Sequence, residues 1–401
     1  MEWFKYRLGE LASTIQTGPF GSQLHRSDYS MSGIPVIMPK DMINGKIDER
    51  NIARVSEEHA ERLKRHRVKC GDIIYSRRGD VGRCALVKEI QSGWLCGTGC
   101  LKVEVGNNVL SSFLFYILQR QDSVGWVESH AVGSTMPNLN TDILSKLPIR
   151  LPSLPIQHRI ASILSTYDTL IENNTKRIRL LEKMAENLHK EWFVRFRFPG
   201  HEKVKMENGL PKGWKMANLF DVADITYGFA FKSNKFCDNA ELTPVVRIRD
   251  IQDNHTNTYT NEPCEDKYLI DKNAILIGMD GIFHMCLWNG ERAYLNQRVV
   301  MLNSKEEFIC NYLLFMAIQP QIKYWEQVIS GTTVAHLGDK HLRRVKVLLP
   351  DEKILKIANR VVSQIMDEKN LLHHQNSLLA RQRDLLLPRL MSGKLEVKAV
   401  K

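Results

Sequence analysis

The chain has 401 residues, a length that exceeds one ordinary hydrophobic core and indicates two or more domains. With 43% hydrophobic and 25% charged residues, its composition argues against wholesale disorder. The net charge of +11 favours an anionic partner, with nucleic acid ahead of an anionic membrane surface.

The sequence also predicts where the protein acts. No apolar run approaches the roughly 18 residues that a membrane-spanning helix needs. The first residues, MEWFKYRLGELAS, lack the apolar stretch of a secretory signal. The eight cysteines are scattered without CxxC pairs, a pattern typical of reduced thiols. We therefore expect a cytoplasmic protein.

The first half of the chain predicts an α/β lobe followed by a long helix. Short apolar or alternating runs such as GDIIYSR and GCLKVEV predict strands, and SSFLFYILQRQ predicts a short helix. Residues 147–164, LPIRLPSLPIQHRIASIL, predict a strand, a proline and the start of a long helix. Residues 198–214, FPGHEKVKMENGLPKGW, are rich in Gly, Pro and charge and predict a linker.

The second half repeats this order. NAILIGM and RVVMLNS predict strands, NYLLFMAIQPQ predicts a short helix, and VKVLLPDEKILKIANRVV at 345–362 repeats the strand–proline–helix junction. LGELASTIQTGPFGS at 8–22 aligns with LFDVADITYGFAFKS at 219–233, which places Gly18 on Gly228. IPVIMPKDM, CGDIIYSRRGDVGRCAL and GSTMPNLN align in the same order with TPVVRIRDI, KNAILIGMDGIFHMCL and GTTVAHLG. The chain therefore contains two copies of one unit.

Each long helix carries apolar residues at heptad spacing, with Leu170 among those of the first helix, and this spacing predicts a coiled coil. In the first helix the phase slips around Asn173 and Asn174 and then resumes. At 1.5 Å per residue each helix would run roughly 55–60 Å, whereas a lobe of this size is only about 30–35 Å across. One interpretation packs each helix on its own lobe alone, but the length favours pairing of the two helices, parallel or antiparallel.

We predict an α+β fold in which two similar α/β lobes are joined by two long helices that form an antiparallel coiled coil with pseudo-two-fold symmetry. Such symmetry would match the local two-fold of duplex DNA, with the coiled coil setting the gap between half-sites. The predicted boundaries are lobe 1 at 1–152, a central helix at 153–197, a linker at 198–213, lobe 2 at 214–350, and a distal helix with a C-terminal tail at 351–401.

The sequence carries no recognisable catalytic motif. GxxxxGK[ST], GxSxG, HExxH and the [ND]PP[YF] signature of an amino-methyltransferase are all missing, and GTG at 97–99 lacks the third glycine of a dinucleotide fingerprint. Cys96 and Cys100 could suggest a metal site, but no second ligand pair accompanies them, so buried or loop thiols are the favoured interpretation. No metal ligand or catalytic residue is predicted.

Candidate DNA contacts lie at exposed cations and in glycine-containing loops. Among these loops, QTGPFGS at 16–22 and TYGFAFKS at 226–233 combine glycine with aromatic residues, and we expect their backbone to approach a sugar–phosphate closely. Arginines can pair with guanine or clamp a phosphate, and loop hydroxyls suit phosphate oxygens. The alternative is that the glycines simply form turns and the arginines are solvated. The SRRGDVG and GMDGIFH loops occupy the same place in the two copies, so we expect the lobes to read different bases. The candidates are Gly18, Phe20, Ser22, Arg77, Arg78, Ser134, Thr135, Tyr227, Lys232, Arg247, Arg249, Arg298, Thr332, Thr333, Arg343 and Arg344.

These features resemble the specificity subunit of Type I restriction–modification systems. The loops GPFGS and GFAFKS, the stretch GSTMPNLN, the helical segments LPIRLPSLPIQHRIASILSTYDTLIENN and LLEKMAENLHKEWFVRF, and the C-terminal RQRDLLLPRLMSGKLEV carry the resemblance along essentially the whole chain. One departure is VAHLGDK in the second copy, which lacks the Met-Pro-Asn found at 136–138.

The resemblance implies that each lobe is a target recognition domain for one half of a bipartite, asymmetric DNA sequence. It implies that two methyltransferase subunits dock around this chain and that restriction subunits complete the assembly. S-adenosylmethionine would bind the methyltransferase subunits, ATP and Mg²⁺ would serve the restriction subunits, and this chain would bind no cofactor and catalyse nothing. Two rival functions remain open, a protein-interaction scaffold and a nuclease with dispersed carboxylates.

Overall fold

The chain divides inside its two longest helices, α6 (Leu154–His189) and α10 (Glu352–Met391). The structure, a computed structural model, describes residues 2–133, 137–305, 309–329 and 335–397. Contacts separate unit 1, Met1–Glu172 with Ser377–Lys401, from unit 2, Asn173–Asn376. Each unit therefore holds one lobe and part of each long helix. The predicted domain boundaries, which were drawn at the helix ends, stay a prediction.

Lobe 1, the part of unit 1 that precedes α6, is built from short strands and helices. The strands are β1 (Phe4–Arg7), β2 (Ala12–Thr17), β3 (Tyr29–Ser30), β4 (Ile34–Ile37), β5 (Met42–Ile43), β6 (Lys46–Ile47), β7 (Ala53–Val55), β8 (Ile73–Ser76), β9 (Cys84–Leu86), β10 (Leu95–Cys96), β11 (Cys100–Val105) and β12 (Pro148–Leu151). The helices are α1 (Leu8–Leu11), α2 (Glu57–Arg62), α3 (Ser111–Leu118), α4 (Gln121–His130) and α5 (Thr141–Ser145).

A four-stranded antiparallel sheet in the order β2-β11-β8-β9 forms the centre of lobe 1. Successive side chains of a strand point to opposite faces. On β8, Ile73 and Tyr75 therefore join the core that contains α3 and the start of α6, whereas Ile74 joins a second core. That second core includes residues of the other four-stranded sheet, β10-β4-β7-β3. Both faces of the central sheet are covered, which explains the continuous apolar run of β8.

In unit 1 the first part of α6 packs with the last part of α10. Ile160 and Leu164 of α6 share one apolar cluster with Leu390 and Met391 of α10. Asp168 of α6 ties this pair to lobe 1, because its carboxylate accepts hydrogen bonds from Tyr116 Oη of α3 at 2.5 Å and from Arg383 Nη1 of α10 at 2.6 Å. Burial and the neighbouring carboxylate raise the pKa of Tyr116, which keeps the phenol protonated as a donor.

Lobe 2, which precedes α10 in unit 2, has the same kinds of element. The strands are β13 (Met206–Glu207), β14 (Leu210–Pro211), β15 (Lys215–Asn218), β16 (Ala223–Tyr227), β17 (Phe236–Cys237), β18 (Thr243–Val246), β19 (Tyr259–Thr260), β20 (Leu269–Ile270), β21 (Ile275–Gly278), β22 (Met285–Leu287), β23 (Ala293–Leu295), β24 (Val299–Ser304) and β25 (Lys346–Leu349). The helices are α7 (Leu219–Val222), α8 (Asn311–Ile329) and α9 (Asp339–Leu342).

The central sheet of lobe 2 has the order β16-β24-β21-β22, the counterpart of β2-β11-β8-β9 in lobe 1. The repeat predicted from the sequence extends to individual hydrogen bonds. Leu8 N donates to Leu147 O at 2.9 Å in lobe 1, and Leu219 N donates to Val345 O at 3.1 Å in lobe 2. Each bond joins the start of the first short helix to the segment before the last strand, at the alignment positions predicted above. The predicted internal repeat is confirmed.

In unit 2 the last part of α6 runs antiparallel to the first part of α10. Glu182 pairs with Lys369 Nζ at 2.8 Å, and Asn376 Nδ2 donates to Thr175 Oγ1 at 3.4 Å. Residue numbers therefore rise along α10 as they fall along α6. Asn174, where the heptad phase slips, is buried and donates to Gln375 Oε1 at 3.5 Å. The antiparallel helix pairing predicted from the sequence is confirmed within this unit.

Three local predictions differ from the structure. The predicted linker contains the hairpin β13–β14, and its Phe198 is buried in a stack on Trp214 with 4.9 Å between the ring centres. Helix α8, predicted to be short, continues through Pro320 to Ile329, and Gln321 Nε2 donates to Ala317 O at 3.2 Å. Leu170, predicted in the helical seam, is 44% exposed.

Among the described residues, none of the helices combines the length and the apolarity that a membrane span requires.

The tie at Asp168 predicts a selective loss of stability. Asp168→Asn removes the charge that accepts from the buried Tyr116 and the half-buried Arg383, so we expect the free energy of unfolding of unit 1 to fall by about 1–3 kcal/mol. Asp384→Asn is the matched control, because Asp384 contacts the same Arg383 but its side chain is 61% exposed. Its loss should stay within about 0.5 kcal/mol. Chemical denaturation of both variants is the measurement, and equal losses would contradict the assigned role of Asp168.

Candidate nucleic-acid interface

One end of the central sheet in each lobe gathers a set of loops, and this end is the candidate interface. In lobe 1, β2 and β8 end there, while β9 and β11 begin there. The lobe 1 loop cluster consists of residues 18–23, 38–41, 77–83, 97–99 and 137–139. The opposite end of the sheet leads to α6, where Leu110 N donates to Gln157 Oε1 at 2.9 Å and Lys88 pairs with Glu172 at 2.6 Å. The loop cluster is therefore the end of lobe 1 directed away from α6.

Backbone hydrogen bonds lock the lobe 1 loop cluster together. Gly18 N donates to Cys100 O at 2.9 Å, Arg77 N donates to Gly99 O at 2.8 Å, and Leu139 N donates to Arg77 O at 2.8 Å. Gly79 N reaches Pro137 O at 3.3 Å. The loops therefore form one surface with a fixed backbone.

The lobe 2 loop cluster consists of residues 228–233, 247–250, 279–284, 296–298 and 335–338. It is held by the same set of backbone hydrogen bonds, which we call the frame. Gly228 N donates to Val299 O at 3.0 Å, Met279 N to Arg298 O at 2.8 Å, and Leu337 N to Met279 O at 2.8 Å. These bonds correspond one by one to those of lobe 1. The isolated bridge Arg78–Asn138 of lobe 1 likewise corresponds to Asp280–His336 of lobe 2.

The predicted glycines Gly18 and Gly228 serve the frame itself. A Cβ atom on Gly18 would lie 2.0 Å from the carbonyl oxygen of Gly97, and one on Gly228 would lie 1.9 Å from that of Asn296. We predicted that these loops let the backbone approach a sugar–phosphate closely. The structure gives each glycine a packing role against its own lobe, because another part of the chain occupies the space that a Cβ atom would take. The approach to DNA stays a prediction.

The predicted side chains of lobe 1 lie together. Phe20 is 50% exposed, and the guanidinium of the half-buried Arg77 lies 5.6 Å from the centre of its ring. Arg77 Nε is buried and has no hydrogen-bond partner among the described residues. Arg78 and Ser22 are exposed. The predicted contacts Ser134 and Thr135 lie outside the described residues.

In lobe 2 the predicted residues fall into separate groups. Arg247 Nε donates a hydrogen bond to Asp250 Oδ2 at 3.0 Å. The turn that contains this pair leaves Arg249 exposed. Arg298 lies 3.5 Å from Asp280 Oδ2, and Lys232 is exposed in the loop after Gly228. The predicted contacts Thr332 and Thr333 lie outside the described residues.

Tyr227, Arg343 and Arg344 belong to a different network. Tyr227 Oη donates to Asp339 Oδ1 at 2.8 Å, and Arg343 Nε contacts Asp339 Oδ2 at 2.5 Å. These two hydrogen bonds lower the pKa of Asp339, whereas burial and the same carboxylate raise the pKa of Tyr227. Arg343 also stacks over Phe220 at 4.4 Å, and Arg344 lies over Trp325 at 5.9 Å. Both arginines therefore have structural partners in lobe 2.

Sequence reasoning missed several members of the loop clusters. Lys40 lies exposed on a turn closed by Met38 N and Asp41 Oδ2 at 2.9 Å, the counterpart of the Arg247–Asp250 turn. The alignment of IPVIMPKDM with TPVVRIRDI placed Lys40 on Arg249 and could have identified it. The other missed members are Arg83, Asn138, Asp280 and His336. With these included, each cluster carries four Lys or Arg side chains against two Asp.

Cys96 and Cys100 are buried thiols, as the favoured interpretation held. Both are at most 1% exposed, and burial raises the pKa of Cys96 to about 12. Cys100 Sγ donates to Ile37 O at 3.4 Å. All eight cysteines lie in the described ranges and are free thiols, and within those ranges no group of three His, Cys, Asp or Glu side chains is arranged to hold a metal ion.

Two lobes with one frame and different loop residues match a known family. The family model described as Type I restriction modification DNA specificity domain matches residues 1–183 and 211–376. The chain belongs to this family.

Relatives within the specificity subunit family support the assignment over the full length. The specificity subunit of Type I restriction enzyme MjaIX from Methanocaldococcus jannaschii is 27% identical over 395 residues, covering 92% of this chain and 89% of the relative. That of HindI from Haemophilus influenzae is 23% identical over 469 residues, covering 98% of this chain and 100% of the relative. The crystal structure of a Type I restriction–modification S subunit from M. genitalium, at 17% identity, superposes with a TM-score of 0.63 over 97% of this chain and 96% of that one. The predicted family and fold class are confirmed.

The close contact at Gly18 makes a direct prediction. Gly18→Ala forces its Cβ against the Gly97 backbone, which cannot rotate away, so we expect a loss of about 1–3 kcal/mol in the free energy of unfolding. Gly21→Ala, in the same loop, is the control because nothing lies within 4 Å of the place that its added methyl group would take. Thermal unfolding of both variants checks this. A Gly21→Ala loss as large as that of Gly18→Ala would argue against the packing role.

Proposed function

We propose that the two loop clusters read the two halves of a bipartite, asymmetric DNA sequence, one half per lobe. The observation that carries this proposal is the shared hydrogen-bond frame with unlike side chains. Arg77 and Arg78 in lobe 1 are replaced by Met279 and Asp280 in lobe 2 at matched backbone positions. Hydrogen bonds to base edges specify sequence, so unlike side chains on one frame read unlike bases.

Charge supports DNA as the ligand of both clusters. Four Lys or Arg side chains in each cluster suit phosphate contacts, and the whole chain carries a net charge of +11. The cation over the exposed Phe20 ring in lobe 1 adds a surface for a base or a sugar. In this proposal the cations away from the loop tips position the duplex, and the residues at the loop tips, Arg77 and Arg78 among them, choose the bases.

The paired helices serve the assembly in this proposal. Several large apolar side chains on α6 and α10 remain exposed beside the buried seam, and exposed apolar side chains that group together mark protein-interaction sites. In unit 1 they include Leu170, Leu378 and Leu385, and in unit 2 they include Leu180, Met184 and Leu371. We propose that methyltransferase subunits dock on these residues, that restriction subunits join the complex, and that helix length sets the spacer between half-sites.

The chemistry then belongs to the partner subunits. S-adenosylmethionine would bind the methyltransferase subunits, ATP and Mg²⁺ would serve the restriction subunits, and this chain would bind no cofactor and catalyse no step. The burial of Cys84, Cys96, Cys100 and Cys286 as free thiols supports a reducing compartment, and we propose the cytoplasm.

Arginine substitutions in lobe 1 test the independence of the lobes. Arg77→Ala and Arg78→Ala should each weaken discrimination at the first half-site by about 1–3 kcal/mol and leave the base preference of the second unchanged. Arg50→Ala is the control, because Arg50 is exposed in lobe 1 outside the loop cluster and pairs with Asp48. Competition binding with duplexes mutated in either half-site, at several salt concentrations, is the measurement.

The outcomes separate the rival functions. Binding that falls steeply with salt supports a DNA reader, since each neutralised phosphate adds to the slope. Salt-independent, negligible binding with and without the methyltransferase partner would favour a scaffold, and cleavage of DNA by the purified chain with Mg²⁺ would favour a nuclease. A change in both half-site preferences would contradict independent lobes.

A double substitution on α6 tests the docking surface. Leu180 and Met184 lie one helical turn apart, and they are 62% and 57% exposed. Leu180→Glu with Met184→Glu should leave the chain folded but reduce its affinity for the methyltransferase subunit at least about tenfold, because charge replaces apolar contact. Lys183→Ala, an exposed position on the same helix, should change it less than about twofold. Analytical ultracentrifugation of the mixture measures both, and unchanged assembly of the double variant would rule out this surface.

A further inference from the structure

The loop 279–284 of lobe 2 carries an acidic residue where the corresponding loop of lobe 1 carries a basic one. Asp280 bridges His336 in the same antiparallel pairing that joins Arg78 to Asn138. Gly281 N donates to Ala335 O at 2.9 Å, as Gly79 N does to Pro137 O in lobe 1. The backbone positions therefore match, and the side chain at this position is negatively charged in lobe 2 but positively charged in lobe 1.

Two cationic or hydrogen-bonding side chains hold the Asp280 carboxylate in place. His336 Nδ1 lies 2.6 Å from Oδ1, and Arg298 Nε lies 3.5 Å from Oδ2. Arg298 has a φ of 68°, a left-handed backbone that is rare for a non-glycine residue, and its carbonyl accepts from Met279 N. The Asp280 side chain remains 31% exposed. It is thus oriented and partly neutralised, yet still open to a ligand.

An ionised carboxylate only accepts hydrogen bonds, which restricts what it can meet on DNA. Phosphate oxygens repel it. In the major groove the available donors are the exocyclic amino groups of cytosine and adenine, and Asp or Glu characteristically accepts from cytosine N4. Two residues along the loop, Ile282 is 59% exposed, and an apolar side chain there suits a thymine methyl group.

We propose that Asp280 is a specificity-determining residue of lobe 2, which accepts a hydrogen bond from the exocyclic amino group of a base in the second half-site. His336 and Arg298 are positioning residues that fix the carboxylate. This inference rests on the proposed function, because it assumes that the lobe 2 loop cluster faces DNA. It also explains how one frame yields two unlike half-sites, since lobe 1 presents a donor where lobe 2 presents an acceptor.

Selection from a randomised duplex library tests the assignment. The chain, together with its methyltransferase partner, is used as wild type, Asp280→Ala, Asp280→Asn and the control Asp271→Asn. Asp271 is an exposed aspartate of the same lobe that also pairs with an arginine, Arg292, but it lies before β21, whereas Asp280 follows that strand. Asp280→Asn preserves size and an acceptor for His336, so it reports on charge without the risk of a disordered loop.

We expect Asp280→Ala to reduce discrimination at one base pair of the second half-site by about tenfold or more. Asp280→Asn should weaken that preference or shift it toward adenine, which an amide recognises. His336→Ala should weaken preference at the same base pair and at no other. The first half-site and the Asp271→Asn selection should match the wild type.

Two results would overturn the assignment. One is a uniform loss of affinity in both Asp280 variants with every base preference intact, which would make Asp280 a loop-holding residue only. The other is an unchanged selection. A wild-type complex that selects no bipartite sequence would contradict the proposed function instead, so the two failures are distinguishable.

Discussion

The close approach of backbone to backbone beneath the loop clusters is the constraint on which the rest of the structure depends. Gly18 and Gly228 each pass so near a carbonyl oxygen that no side-chain carbon fits between. That approach permits the hydrogen bonds from Gly18 to Cys100 and from Gly228 to Val299, which fasten the first loop to the central sheet. Once the backbone is fixed in this way, the residues at the loop tips can vary without altering the fold of the lobe.

A fixed frame with variable tips suits a protein that must read two unrelated sequences. Lobe 1 presents Arg78 and an arginine stacked on Phe20, whereas lobe 2 presents Asp280 held by His336. Contacts within the protein already orient these side chains before DNA binds. Such preorganisation lowers the free-energy cost of ordering them on binding, and it restricts them to bases that fit the fixed geometry. The end of the sheet opposite the clusters is fastened to the helices, and in unit 1 Asp168 joins a lobe residue to both of them.

Much of the fold could be predicted because its causes are local. The strand–proline–helix junctions at Pro152 and Pro350, the apolar strands and the helix seam each depend on residues close together in the sequence. Pairing of α6 with α10 followed from helix length. The exposure of Leu170 was not predictable from heptad spacing. The spacing alone does not specify which residues face the partner helix near a phase slip such as that at Asn174.

The candidate site was harder to predict from the sequence than the fold, because its residues are distant along the chain. Its members come from five separate loops in each lobe, and only the folded sheet brings them together. Arg77 and Arg249 stood out as cations beside turns, but Asp280 and His336 are 56 residues apart and show no pattern. Arg343 and Arg344 looked like free cations, yet each stacks on an aromatic ring within the lobe.

The central claim is that two lobes with one frame read two unlike sequences. Sequencing the methylated positions in the DNA of a host that expresses this chain with its methyltransferase partner tests it most directly. The account predicts two short, different base sequences separated by a gap of fixed length and unspecified bases. A single uninterrupted target, or two halves that are copies of each other, would contradict it.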